Sequence, residues 1–142
     1  MTLAELHNLQ PADVLITPKS DIRLIKHFVV FQGYDSQGTD YYLENKQGFG
    51  VRQINGAQFQ RENTILSIRK FSGNTYQRDI AIQRGTSLLG RTYDLANFNC
   101  EHYANYIQYN TPISKQVDFV KGMLGTAVAV TFIGILIGAL SD

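Results

Sequence analysis

Cysteine is scarce in this chain: Cys100 is the single one. No intramolecular disulfide can form, so the sequence fits a reducing compartment and leaves that thiol free for chemistry. Charge of one sign is also missing. Thirteen basic and twelve acidic residues give a net charge of +1. No Lys/Arg cluster builds a local basic field, so no nucleic-acid partner is expected. Met1 to Gln10 has neither a basic start nor an apolar run, so no signal peptide is expected there. Neither an internal repeat nor a low-complexity linker interrupts the 142 residues, a length that suits one domain and little more. Hydrophobic residues make up 44% and charged residues 18%, a globular rather than a disordered balance.

What is present divides in two: residues 1–120, mixed in composition, and a hydrophobic end over 121–142. From Gly122 to Leu140 there is no charged residue, and the only polar side chains are Thr126 and Thr131. As a helix these nineteen residues would span roughly 28 Å, about the hydrocarbon thickness of a bilayer. The stretch is apolar all round, which predicts a single-pass transmembrane helix rather than an amphipathic one. Gly134 and Gly138, like Gly125 and Ala129, are spaced for close helix contact in lipid, which allows a homodimer through the tail. Lys115 and Lys121 precede the run and only Asp142 follows it, so the main domain is expected on the cytoplasmic side of the membrane.

The first 120 residues read as α+β. Strands are expected around Val14–Ile16, Ile25–Gln32, Asp40–Lys46, Val51–Ile54 and Thr64–Arg69, with turns at Gly33–Asp40 and Gly48–Gly50. Thr75 to Leu89 has helical spacing and Gly90 closes it. A second helix starts at the cysteine. Asn99 is a good N-cap, and Cys100, Tyr103, Ala104 and Ile107 fall at i, i+3, i+4 and i+7, with Thr111-Pro112 beyond the end.

That position has chemical consequences. A helix N-terminus supplies partial positive charge and free N–H groups, which favour thiolate over thiol and can face a developing oxyanion. A thiolate also needs a base. His27 opens the apolar run Phe28-Val29-Val30-Phe31, and an imidazole on such a strand, facing a helix start, would complete a Cys–His pair. His102 lies two residues beyond Cys100 on another side of the helix and reads as structural. His7 lies near the terminus and is the weakest of the three. No pair among Cys100, His27 and His102 has zinc-ligand spacing, and no metal or other cofactor is called for.

Gly90-Arg91-Thr92-Tyr93-Asp94-Leu95, followed by Asn99-Cys100-Glu101-His102-Tyr103, resembles the cysteine motif of the lecithin–retinol acyltransferase-like family. The family pattern is Gly-x-x-Tyr-x-Leu leading to Asn-Cys-Glu-His and an aromatic residue. Ser114-Lys115-Gln116-Val117 is similar to its Ser-x-Gln-Val. Gln10-Pro11-Ala12-Asp13-Val14 looks like its Pro-Gly-Asp-Val strand, with Ala12 for the usual glycine. His27-Phe28-Val29-Val30-Phe31-Gln32-Gly33 looks like its histidine strand. The resemblance runs through residues 9–120 in unbroken order, and several members carry a C-terminal membrane helix.

The resemblance implies a circularly permuted papain-like domain that attacks acyl esters, usually of phospholipids. The acyl group would rest on Cys100 as a thioester and pass to water, an alcohol or an amine, with His27 as base and then acid. Many animal members have a second histidine on the next strand. Here that strand reads Tyr41-Tyr42-Leu43-Glu44-Asn45, so Glu44 or Asn45 must orient His27. Strand alternation puts the two on opposite faces, so only one can serve. Two other readings compete with the lipid acyltransferase or phospholipase: a papain-like peptidase or amidase, and an inactive membrane-tethered interaction domain.

Overall fold

The structure is a computed structural model that describes residues 1–19 and 22–124. It is α+β. Among the described residues five antiparallel strands form one sheet: β1 (Val14–Lys19), β2 (Ile22–Tyr34), β3 (Asp40–Lys46), β4 (Gly50–Asn55) and β5 (Ser67–Arg69). Their order across the sheet is β4-β3-β2-β1-β5. Among the described residues five helices accompany them: α1 (Leu3–Leu6), α2 (Gly56–Glu62), α3 (Thr75–Thr86), α4 (Cys100–Tyr109) and α5 (Lys115–Leu124).

Strand alternation sorts the core into two layers. Val14, Phe28, Val30, Leu43 and Val51 turn one way and pack with Tyr103, Ala104 and Ile107 of α4 and Ala81 of α3. Leu15, Val29, Phe31, Tyr42 and Ile54 turn the other way and meet Ala4 of α1 and Phe59 of α2. Tyr42 stacks on Phe59 at 5.0 Å between ring centres, and its hydroxyl donates to Asp40 at 2.8 Å. This double cover explains why β2 reads as a continuous apolar run rather than an alternating one.

Several elements differ from the expectations. β2 is longer than the predicted Ile25–Gln32, and β5 shorter than Thr64–Arg69. The helix expected to reach Leu89 stops at Thr86, although Gly90 does adopt φ +86°. α1 and α2 were not expected; they are short helices capped by Thr2 and Asn55. Helix α4 matches the expected start, and Asn110 ends it in the left-handed region, φ 55°, which asparagine tolerates better than most residues. Helix α5 crosses the compositional boundary at 120/121. No helix among the described residues is long and apolar enough to cross a membrane, and most of the expected membrane helix, from residue 125 on, lies outside them.

Candidate active site

The site begins where two strands part. Pairing between β2 and β3 runs from Tyr34↔Asp40 to Val29↔Glu44 and goes no further, while β1 follows β2 past His27. Lys26 and Phe28 therefore present backbone groups along a free strand edge. Pro18 sits opposite Lys26 on β1. Lys26 turns its N–H away from β1 to a side chain on α5, so the missing proline donor costs the ladder nothing there.

The start of α4 fills this gap. Cys100 Sγ lies 3.8 Å from the Lys26 carbonyl oxygen, an acceptor for the thiol, and the Phe28 N–H is a donor for the thiolate. Asn99 makes the N-cap: its Oδ1 accepts from Glu101 N–H at 2.9 Å and His102 N–H at 3.1 Å. His102 Nδ1 accepts the Asn99 N–H at 3.1 Å, which closes a capping box and gives the histidine after Cys100 a structural task. The Cys100 N–H has no acceptor among the described residues, so it is free to face an oxyanion. The approach to α4 is held by an Asp94–Phe98 bridge and by Asn45, whose Nδ2 donates to Phe98 O at 2.8 Å.

His27 shares a face of the sheet with Val29 and Glu44. Its Nε2 is 3.4 Å from Glu44 Oε2, which leaves Nδ1 for the thiol. The sulfur acts on the ring both as a hydrogen-bond partner and as a charge. Cys100 and His27 are 6% and 8% exposed, so their charges are little screened. Burial alone would push the His27 pKa down. The Cys100 sulfur and the Glu44 carboxylate outweigh it and raise the value to about 9. Burial likewise opposes the Cys100 thiolate, but His27, the Phe28 N–H and the Lys19 ammonium bring its pKa below the ordinary thiol value. The two shifts agree in direction: both favour the thiolate–imidazolium form of the pair.

Glu44 is fully buried, yet its pKa is lowered. Desolvation is offset by His27, then by Arg52 and Lys46. Arg52 Nη2 donates to Glu44 Oε1 at 3.3 Å and to Glu62 Oε2 at 3.0 Å. Asn45, the alternative partner for His27, turns to the opposite face and serves the Phe98 carbonyl instead. His7 caps the C-terminus of α1.

Three neighbours were not singled out from the sequence. Lys19 ends β1 beside the sulfur, and its burial lowers its pKa. Tyr93 is half-buried; burial and the Cys100 charge push its phenol up, so it stays a hydroxyl donor. Its signal was its place in the quoted lead-in to the cysteine. Gln116 contacts both backbone groups of Lys26. Tyr93 also lines a cavity of about 510 Å³, with Gln47, Phe49, Gly90, Thr92 and Leu95 around it. No protein-family model and no curated protein matches the chain.

Proposed function

We propose that the protein is a cysteine-nucleophile acyltransferase or hydrolase with a permuted papain-like domain, acting on acyl esters of membrane lipids. The observation that carries this reading is the line Cys100–His27–Glu44, with the sulfur at the first turn of α4 and both partners buried. A thiol kept only for packing would be held neutral by burial; here the surrounding charges favour the thiolate. The resemblance of Asn99-Cys100-Glu101-His102 to the acyltransferase-like family supplies the substrate class, and the apolar run after Gly122 supports a membrane-bound setting.

In this reading Cys100 Sγ adds to the ester carbonyl, and the oxygen takes up negative charge facing the free Cys100 N–H. The C–O bond breaks, and His27 gives its proton to the departing alcohol while Glu44 holds the ring. A thioester is left on Cys100. Water, an alcohol or an amine then loses a proton to His27, attacks the thioester and releases the acyl product and the thiolate.

The test is exposure of the purified protein to mixed phospholipid vesicles, followed by mass spectrometry. An acyl adduct on Cys100, absent from Cys100→Ser, is expected. Full ester cleavage by Cys100→Ser would refute the reading. One observation favours an amide substrate instead. Gln47 Oε1 at the cavity is buried with no hydrogen-bond partner among the described residues, and an amide brings the N–H donor that an ester lacks. Parallel phospholipid and peptide panels separate the two.

A further inference from the structure

Where β3 leaves β2, something must satisfy the exposed strand edge. Gln116, on the first turn of α5, does so. Its Oε1 accepts the Lys26 N–H at 2.9 Å, and its Nε2 lies 3.5 Å from the Lys26 carbonyl oxygen. A carboxamide offers an acceptor and a donor side by side, the same pair a neighbouring strand residue would present. The Lys26 carbonyl oxygen is also the acceptor for the Cys100 thiol, 3.8 Å from Sγ. Donation from Gln116 Nε2 to this oxygen competes with the S–H for it.

The other end of Gln116 is tied to the residue after the nucleophile. Glu101 is 5% exposed, and one of its oxygens collects three donors. Ser114 Oγ donates to it at 2.6 Å, the Gln116 backbone N–H at 3.1 Å and Gln116 Nε2 at 3.4 Å. Val117 anchors the turn by packing against Ile25 and Leu95. A closed path results: Cys100 to Glu101 through the chain, Glu101 to Gln116 and Gln116 to Lys26 by hydrogen bonds, and Lys26 to His27 through the chain.

We propose that Gln116 is a positioning residue: its carboxamide replaces the absent strand neighbour of Lys26 and, through Glu101, sets how close Cys100 comes to His27. This rests on the Cys100–His27 pair of the proposed function, and on nothing about the acyl donor. It gives Glu101 and Gln116 a shared task that neither the capping of α4 nor the core explains. The titratable groups around the sulfur are His27 of β2, Lys19 of β1 and Tyr93 of the loop before α4, and a change at 116 alters none of them directly.

The experiment is iodoacetamide alkylation of the full chain across pH, with Gln116→Met and Gln116→Asn. Methionine keeps the length and loses both hydrogen bonds; asparagine keeps the chemistry and loses the reach. Lys115→Ala on the exposed side of the same turn is the control. In both variants the alkylation midpoint should rise by about one pH unit, a tenfold loss of thiolate at fixed pH, and the control should match wild type. A folded variant with the wild-type midpoint overturns the proposal. A wild-type midpoint in the ordinary thiol range overturns the enzymatic reading itself, so the two failures are told apart. A readout needing no variant is hydrogen exchange in the wild-type protein. The Lys26 amide should be protected although β3 does not reach it on that edge, and rapid exchange overturns the clamp.

Discussion

Glu44→Gln is the sharpest perturbation of the proposed site, because it keeps the shape and removes the charge. Arg52 Nη2 already donates to Glu44 Oε1 at 3.3 Å, so the new amide would turn its oxygen to Arg52 and its NH2 to His27. His27 Nε2 would then have to accept rather than donate. The proton would sit on Nδ1, facing the sulfur, in a neutral ring that cannot take up another proton without losing its partner. The magnitude follows from the balance at His27. Its pKa of about 9, against an ordinary 6.5, corresponds to roughly 3 kcal/mol of net stabilisation of the imidazolium. Cys100 and Glu44 share it. Assigning Glu44 about half gives roughly 1–2 kcal/mol, or about one pKa unit at His27. The assay is the pH profile of Cys100 alkylation, read beside the rate of ester cleavage. In wild type, the state with thiolate and imidazolium together is lost as pH rises through about 9. In Glu44→Gln that alkaline limb should move down by about one unit and turnover fall at least tenfold. An unmoved alkaline limb in a folded variant would refute the role given to Glu44.

Asn45→Ala should leave that limb in place and cost about 1 kcal/mol in urea unfolding, since it removes the side-chain donor to the Phe98 carbonyl, which keeps the Asp94 N–H, without touching His27. Asn99→Ala removes the acceptor for two N–H groups of α4 and should cost about 1–2 kcal/mol, with the Cys100 alkylation midpoint rising as the helix start loosens. Asp13→Asn should cost about 3 kcal/mol at neutral pH, because this fully buried carboxylate takes bonds from Gln10 and Phe71 N–H, Arg78 and Lys70. Burial raises the Asp13 pKa, but those four donors outweigh it and lower it. Its contribution is therefore fully present above the unfolded value near 3.9 and lost as pH falls through the lower folded value. The stability gap between wild type and Asp13→Asn, followed by thermal melts, should accordingly narrow below about pH 4.

The local features of the site were readable from residue types alone. Asn99 before an apolar i, i+3, i+4, i+7 set announces a capped helix, and the cap puts Cys100 at its first position. Strand alternation was enough to say that Glu44 and Asn45 serve different faces, but it could not say which face holds His27. That choice depends on the β2–β3 register, which shifts between Phe31 and Gly33 and so changes the count along the strand. Lys19 carries no local signal, and Gln116 none beyond its place in the Ser114-Lys115-Gln116-Val117 stretch. Each reaches the site through contacts across more than seventy residues of chain or from the end of a neighbouring strand. The short helices α1 and α2 were missed because four and seven residues are too few to establish a helical period.

The parting of β2 and β3 is the step that joins fold to chemistry. Helix α4 packs on one face of the sheet with Phe28 and Leu43, while His27 and Glu44 belong to the other. In an unbroken sheet the backbone would separate them, and a cysteine on that helix could not reach an imidazole on that face. Because β3 stops pairing at Glu44, the sulfur lies at the edge of β2, level with Lys26 and Phe28, where the next residue's imidazole can meet it. The same gap leaves the Phe28 N–H free for the thiolate and the Lys26 N–H and carbonyl free for Gln116. One interruption of the ladder thus creates the surroundings of the proposed nucleophile and the unpaired edge that Gln116 meets. A change that lengthened β2–β3 pairing by a single residue pair would engage Phe28 with Asn45. It would withdraw the thiolate's backbone donor while leaving Cys100, His27 and Glu44 all in the sequence.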